Sequence, residues 1–408
     1  MTTGDSSLHH SPSVFDGWRS ISIALYMTLV GYGVLVGIPV ISTAWVNLLG
    51  FSEVEVGRVA GADLGGLSFG ALVTSLVIAR MNRRVLVLLS ASLAILANGL
   101  CIFTVDYSQV LWLRLLAGFG SGMYTSVAVV SLGASSKPAR AFNMMLFAFA
   151  FSQALEMQIL PQLSMNGIYM VFIGCFVFSL FFLHWVPPRA VETSLDVEIE
   201  VEENNGQHHL EHKKVPAYVP WLVLTAMVFT YINIGAYWTY IELASADASI
   251  SSASPEWVGR VLVWASFLSI AGCLFATVLS NRFGLARPLL ITLVIQSIIV
   301  IMLAAGITNT SILVSVFMFN FLWIFIDVYQ MSTVANVDHS GKFAALIAGA
   351  QGLGQIIGPN IAALILQAGL GYRGVFIMCA CATLTGMCIY AYMYLALRKI
   401  IPALADSP

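Results

Sequence analysis

Val56-Gly57-Arg58-Val59 recurs 202 residues later as Val258-Gly259-Arg260-Val261, and this echo decides how the chain is read. At the same offset Gly70 meets Gly272 and Arg80 meets Arg282, with no gap. Six matches over one apolar stretch and its following loop exceed what shared hydrophobic composition supplies. A weaker echo sets Gly167-Ile168-Tyr169 against Gly371-Tyr372. The chain is therefore two related halves in tandem.

Composition says where those halves reside. Of 408 residues, 59% are apolar and 9% charged, against about 45–50% and about 25% in soluble domains. Mean hydropathy is +0.88. A soluble globule of this size has too much surface to hide so much apolar material. The apolar runs are long and continuous, so they predict bilayer-crossing helices rather than the short alternating strands of a barrel. Twelve spans are expected: 20–45, 56–79, 85–104, 110–133, 141–163 and 167–187, then 218–243, 257–280, 288–305, 311–334, 343–368 and 374–397. The first is too long for a cleavable leader and lacks a cleavage signature. Fourteen of the 18 Lys and Arg residues fall in the tails and on one set of loops. That bias predicts cytoplasmic termini, in a plasma membrane of the bacterial inner-membrane kind.

The expected organisation is a tail (1–19), a six-helix bundle (20–187), an acidic linker (188–217), a second bundle (218–397) and a tail (398–408). The linker carries seven acids, Glu192 to Glu211, too little apolar mass to order itself; its 196–202 stretch has strand-like alternation. His208, His209 and His212 lie there without thiolates, so no metal site is expected. The six cysteines all sit in apolar runs and read as small hydrophobes. A net charge of −2 excludes a basic nucleic-acid face. There is no phosphate loop or HExxH. No cofactor is expected, and the chain is expected to work as a monomer.

Internal duplication of membrane bundles marks transporter folds, which bind solute between the halves. Two motifs sharpen this. Arg114-x-x-x-Gly118-x-Gly120-x-Gly122 lies in span four, and Ser75-Leu-Val-Ile-Ala79-Arg80-Met81-Asn82-Arg83-Arg84 follows span two. The chain resembles a twelve-span major facilitator superfamily transporter over essentially its whole length. Its loop after span two departs from the family signature, with Ala79 in the acid's place. The repeat copy, Asn281-Arg282-Phe283-Gly284, followed by Arg287, is closer. The resemblance implies that these loops brace a cytoplasmic gate. The antiporter signature is absent from span five, and Gly354-x-x-x-Gly358-Pro359 carries its shape in span eleven.

A charge in the bilayer costs at least about 2.5–3.5 kcal/mol, so each needs a partner, a water path or a role. Asp63, Arg114, Glu156 and Asp327 are such charges. Counted from the span ends, Asp63, Arg114 and Glu156 lie within roughly 6–11 Å of the outer boundary, at depths where they can meet. Two acids against one base leave one carboxyl over, which suits proton coupling; the competing reading is a static ion pair joining helices. Glu242 lies near an outer end and reads as reaching the interface. Asn320, Trp323, Asp327 and Gln330 share one face of span ten. Asn233 and Tyr237 on span seven, and Gln351 and Gln355 on span eleven, are further substrate-contact candidates. In the resembled family spans one, four, seven and ten line the cavity, which adds Arg114. The Gly31, Gly33, Gly37, Pro39 series predicts a loosened span one.

The expected function is alternating-access transport of a small organic solute, proton-coupled, with export favoured over import. A membrane-embedded lipid-modifying enzyme is the alternative. It would have to use His184, Asp338 and His339, which the spans do not bring together.

Overall fold

The computed structural model describes residues 14–136, 138–188, 216, 218–283, 286–337 and 342–400. Apart from Pro188 and Pro216, the acidic connection with its three histidines lies outside the described residues, as do Gly284, Asp338 and His339. The chain is all-helical there, with one isolated β-bridge between Ser251 and Ile307.

Among the described residues fourteen α-helices form twelve rods. In order they are α1 Trp18–Gly31, α2 Gly33–Leu49, α3 Glu53–Val77, α4 Arg83–Cys101, α5 Tyr107–Gly133, α6 Pro138–Ile159 and α7 Met165–Phe181. Then follow α8 Val219–Ala246, α9 Pro255–Ala265, α10 Leu268–Phe283, α11 Ala286–Ile301, α12 Asn309–Val337, α13 Lys342–Gln367 and α14 Gly371–Ile400. Ten rods are long and apolar enough to cross a membrane by themselves; α7 is shorter, at 17 residues. Large apolar side chains such as Leu89, Phe147, Phe275 and Ile291 remain exposed. In a multi-pass protein they face lipid.

Local chemistry sets the ends. Ser52 and Glu55 form a reciprocal capping box at α3, Asp106 caps α5 through the Gln109 amide, and Ser164 caps α7. Gly50 ends α2 at φ 74°, and Gly369 and Gly371 turn the chain into α14 at φ 75° and 60°. Only glycine takes that region without a steric cost.

Two expected spans are broken. Span one divides at Tyr32, between Gly31 and Gly33, as its glycine series predicts. Span eight divides at Ser266 and Phe267, where a straight helix is expected. Ser266 Oγ donates back to the Leu262 carbonyl and Ser269 Oγ to that of Ser266. Such back-bonding competes with the ladder and bends helices.

The repeat is visible in packing. A Cβ on Gly70 would stand 2.1 Å from the Phe119 carbonyl, and one on Gly272 would stand 2.2 Å from the Phe321 carbonyl. Phe119 and Phe321 are again 202 residues apart. Missing side chains thus let α3 close on α5, and α10 on α12, at matching points.

The halves meet where α3 packs on α13, α2 on α8, and α6 on α9 and α10. On the face away from the chain ends they share one buried cluster, with Val40, Ile41 and Trp45 joined to Tyr237, Trp238 and Tyr240. Towards the chain ends the first half keeps its own core, around Met27, Ala91, Tyr124 and Phe176. The molecule is therefore closed on the face opposite its termini.

Candidate functional site

Between the halves lies a cavity of about 260 Å³. Leu67, Ser68 and Ala71 of α3 wall it, with Tyr32, Leu35 and Val36 at the broken span and Met145, Leu146, Phe149 and Gln153 of α6. The second half supplies Tyr231 of α8, Ser269 of α10, Asn320, Trp323, Ile324, Asp327 and Met331 of α12, and Ala348, Gln351, Gly352 and Gln355 of α13. Asn320, Trp323, Asp327 and Met331 recur every three or four residues, so one face of α12 forms a wall.

Its polar groups are few and distinct. The Tyr231 hydroxyl donates to Asp327 Oδ1 at 2.6 Å. Gln153 Nε2 donates to Asn320 Oδ1 at 3.3 Å, joining the halves across the cavity, while Asn320 Nδ2 is held by the Val316 carbonyl at 3.0 Å. Gln351 Nε2 is buried without a hydrogen-bond partner among the described residues. Tyr32 and Phe149 pack ring to ring at 5.4 Å, and Trp323 stands edge-on to Trp238 and Phe319. The wall thus offers one carboxylate, four amides and four aromatic rings, with no Lys or Arg.

Of the residues the sequence singles out, Asn320, Trp323, Asp327, Gln351 and Gln355 come together here. Arg114 does not line this cavity. It is 2% exposed and inserted among α3, α4 and α5. Its Nε and Nη2 both donate to Asp63 Oδ2, Nε at 2.7 Å, and its Nη1 donates to Asn98 Oδ1 at 2.7 Å. Tyr169 lies under the guanidinium at 5.8 Å. A buried guanidinium needs several acceptors at once, and only the three-helix junction supplies them. Gly118, one turn beyond Arg114, lets the Asp63 backbone approach to where a Cβ would stand. Gly122 does the same at Leu67, and Gly120 faces α4 at Ser90 and Ala94.

Glu156 is expected near this pair and is elsewhere. Its carboxylate faces the break in span one: a Cβ on Gly37 would lie 2.6 Å from Oε2, and one on Gly33 would lie 3.4 Å from Oε1. Ser152 donates weakly to Oε1 at 3.4 Å, and Oε2 has no partner among the described residues. Depth along a span was readable in the sequence, but the azimuth that turns α6 towards α2 was not.

Tyr237 and Asn233 also lie off the cavity, inside the second half. The Tyr237 hydroxyl pairs with Ser315 Oγ at 2.9 Å and its ring stacks on Phe319 at 3.9 Å. The Asn233 amide is fully buried with neither atom partnered among the described residues. Tyr32, Phe149, Gln153 and Tyr231 are cavity residues that sequence reasoning did not rank. Gln153 left a signal, as an amide three residues before Glu156 in an apolar run.

The loop residues divide. Arg83 is buried, donates to Ser131 Oγ at 3.1 Å and lies over the Phe15 ring at 4.4 Å. Arg84 donates to the carbonyls of Val186 and His184, tying α4 to the end of span six. Arg80 and Arg287 are exposed. Asn281 and Arg282 fall in the last turn of α10, and their side chains are outside the described set. Gly354, Gly358 and Pro359 are not among the residues lining this cavity: Gly354 packs on Tyr231 and the Val228 carbonyl, Gly358 on the Ile232 carbonyl, and the Pro359 ring on Gly235.

This architecture has known counterparts. The nucleoside transporter NupG superposes with TM-score 0.68 at 10% identity, covering 92% of this chain and 98% of its own. A structure from the proton-dependent oligopeptide transporters gives 0.69 at 13%, covering 94% and 99%. At those identities the likeness concerns the fold alone. No curated protein matches the chain in sequence. The sequence profile of the Major Facilitator Superfamily matches residues 21–340. With two packed helical halves around a shared cavity, the chain belongs to the Major Facilitator Superfamily and is a secondary transporter of a small molecule, not an enzyme.

Proposed function

We propose that the protein exports a small organic solute by alternating access, with proton coupling, from a membrane of the bacterial inner-membrane kind and with both termini cytoplasmic. The observation that carries this reading is the cavity between the halves, whose one ionisable acid, Asp327, is hydrogen-bonded to Tyr231 and faces the solute space. A wall with a carboxylate, amides and aromatic rings but no base favours a neutral or cationic amphipathic solute over an anion. The rings take the apolar body. Asn320, Gln351 and Gln355 take its polar groups.

Asp327 and Glu156 are the carboxyls assigned to coupling, because neither has a basic partner among the described residues. Asp63 and Arg114 are assigned to the framework, since each already satisfies the other. The closed face lies opposite the termini, and the lysine and arginine bias places the termini inside. The cavity is then loaded from the cytoplasm, which begins an export cycle. The two halves of the duplication supply the two bodies that rock, and the segment at 188–217 joins them.

The test is solute flux in vesicles of known orientation under an imposed pH gradient. The reading expects flux that follows the gradient in wild type and loses that dependence in Asp327→Asn or Glu156→Gln. Flux indifferent to the gradient, with both variants fully active, removes the coupling. Accumulation against the opposite orientation reverses the direction.

A further inference from the structure

A second cavity, of about 470 Å³, lies on the closed face, outside the central one and sharing no residue with it. It sits at the seam of the halves. Thr43 and Asn47 of α2 and Leu160 border it from the first half, and Glu242 and Ser245 of α8 and Gly259 of α9 from the second. Its hydrogen-bonding groups lean to acceptors, with the Asn47 amide the one side-chain donor not already used among the described lining residues. Thr43 Oγ1 donates to the Pro39 carbonyl and Ser245 Oγ to the Ile241 carbonyl, so each presents only lone pairs to the space. Glu242 Oε2 is enclosed and has no hydrogen-bond partner among the described residues. No Lys or Arg lines the cavity. Nearby Arg58 and Arg260 are turned elsewhere, to the Gln367 side chain and the Glu256 carbonyl.

An enclosed carboxylate among acceptors, with apolar walls, calls for a ligand that donates hydrogen bonds, carries positive charge and has a hydrocarbon body. We propose that this cavity is a site for a protonated organic amine, with the ammonium on Glu242 and the body against the seam. A ligand there touches both halves. It binds only while this face is closed, so it holds the transporter in this conformation and blocks turnover. The site is separate from the central cavity and does not depend on which solute is transported.

The test is calorimetric titration of the full-length protein with cyclohexylammonium, with cyclohexanol and cyclohexanecarboxylate as matched neutral and anionic probes. The site predicts binding of the ammonium alone. Glu242→Gln removes the charge and should weaken it by about tenfold or more. Gly259→Leu adds a bulky side chain at the cavity's border. A Cβ at Gly259 meets nothing within 4 Å, so this variant should fold with an unchanged unfolding midpoint and still lose the probe. Asp327→Asn reports the central cavity and should bind the probe as wild type does. Loss in Glu242→Gln and Gly259→Leu with retention in Asp327→Asn upholds the site. Absence of ammonium binding, equal affinity in all variants, or loss confined to Asp327→Asn overturns it.

Discussion

Arg114 and Asp63, from helices α5 and α3, meet with both Nε and Nη2 of the guanidinium on one carboxylate oxygen, each side chain 2% exposed. The third contact, to Asn98, brings in α4. Breaking one partner of a buried pair leaves an unpaired charge, at about 3–5 kcal/mol, whereas replacing both with apolar groups can be neutral. Asp63→Leu and Arg114→Met should each lower the unfolding midpoint strongly, and the double variant should recover most of the loss. The measurement is thermal unfolding in detergent over the full mutant cycle. Single variants as stable as wild type would show that the pair does not hold the helices.

Close backbone approach makes a second prediction. A methyl on Gly70 or Gly272 would stand within 2.2 Å of a carbonyl oxygen on the neighbouring helix. Backbone cannot step aside as a flexible side chain can, so Gly70→Ala and Gly272→Ala should each destabilise by more than about 1–3 kcal/mol, the usual cost of overpacking. Gly174 in α7 has nothing within 4 Å of a Cβ, and Gly174→Ala should be neutral or stabilising by about 1 kcal/mol. Expression yield and unfolding midpoint separate the two classes.

In the central cavity, Tyr231→Phe removes the hydroxyl that donates to Asp327 Oδ1 and leaves the ring. A hydrogen bond to a charged group is worth about 1.5–3 kcal/mol. Solute affinity or turnover should therefore change by about tenfold or more, with little change in stability beyond that bond. Tyr237→Phe, at a residue buried away from the cavity, should alter stability and leave solute affinity unchanged. Equal effects of the two on affinity would contradict the assignment of Tyr231 to the wall.

The closed face has an identifiable latch. Trp238 Nε1 donates to the Val36 carbonyl at 3.3 Å and the Tyr240 hydroxyl to the Glu53 carbonyl at 2.8 Å, both from one half to the other. Each is worth about 1 kcal/mol, so Trp238→Phe with Tyr240→Phe should shift the balance between closed and open by roughly tenfold or more. Spin labels at the exposed Val105 and Leu370, on opposite halves of this face, give the readout. The double variant should gain a population at longer distance. An unchanged distribution would assign closure to other contacts.

How much of this was legible beforehand differs by kind of information. The spans and the break at Tyr32 follow from local rules: apolar length against bilayer thickness, and the Gly31, Gly33, Gly37, Pro39 series. The duplication was legible because Gly70 and Gly272 are constrained by the same backbone approach. Asp327, Asn320 and Trp323 could be grouped because one helix face is a matter of periodicity. Glu156 could not be placed, since its depth says nothing of the helix rotation that aims it at Gly33 and Gly37. The pairing of Arg114 with Asp63 was open to reading from depth, but its place off the cavity was not, since its motif resembles that of a cavity helix while its hydrogen-bonding demand draws it into the junction.

The amino-acid sequence alone thus determined that the chain lives in lipid, crosses as helices and is built twice, because hydropathy and motif spacing act over a few residues at a time. The tertiary structure decided which polar side chains share a space. It separated the Asp63–Arg114 pair from the Asp327 cavity, set Glu156 against the hinge and left Glu242 in a chamber at the seam. Those outcomes depend on helix azimuth and on packing between residues about 50 to 200 positions apart, where the pairing of buried charges, and not local preference, selects the arrangement.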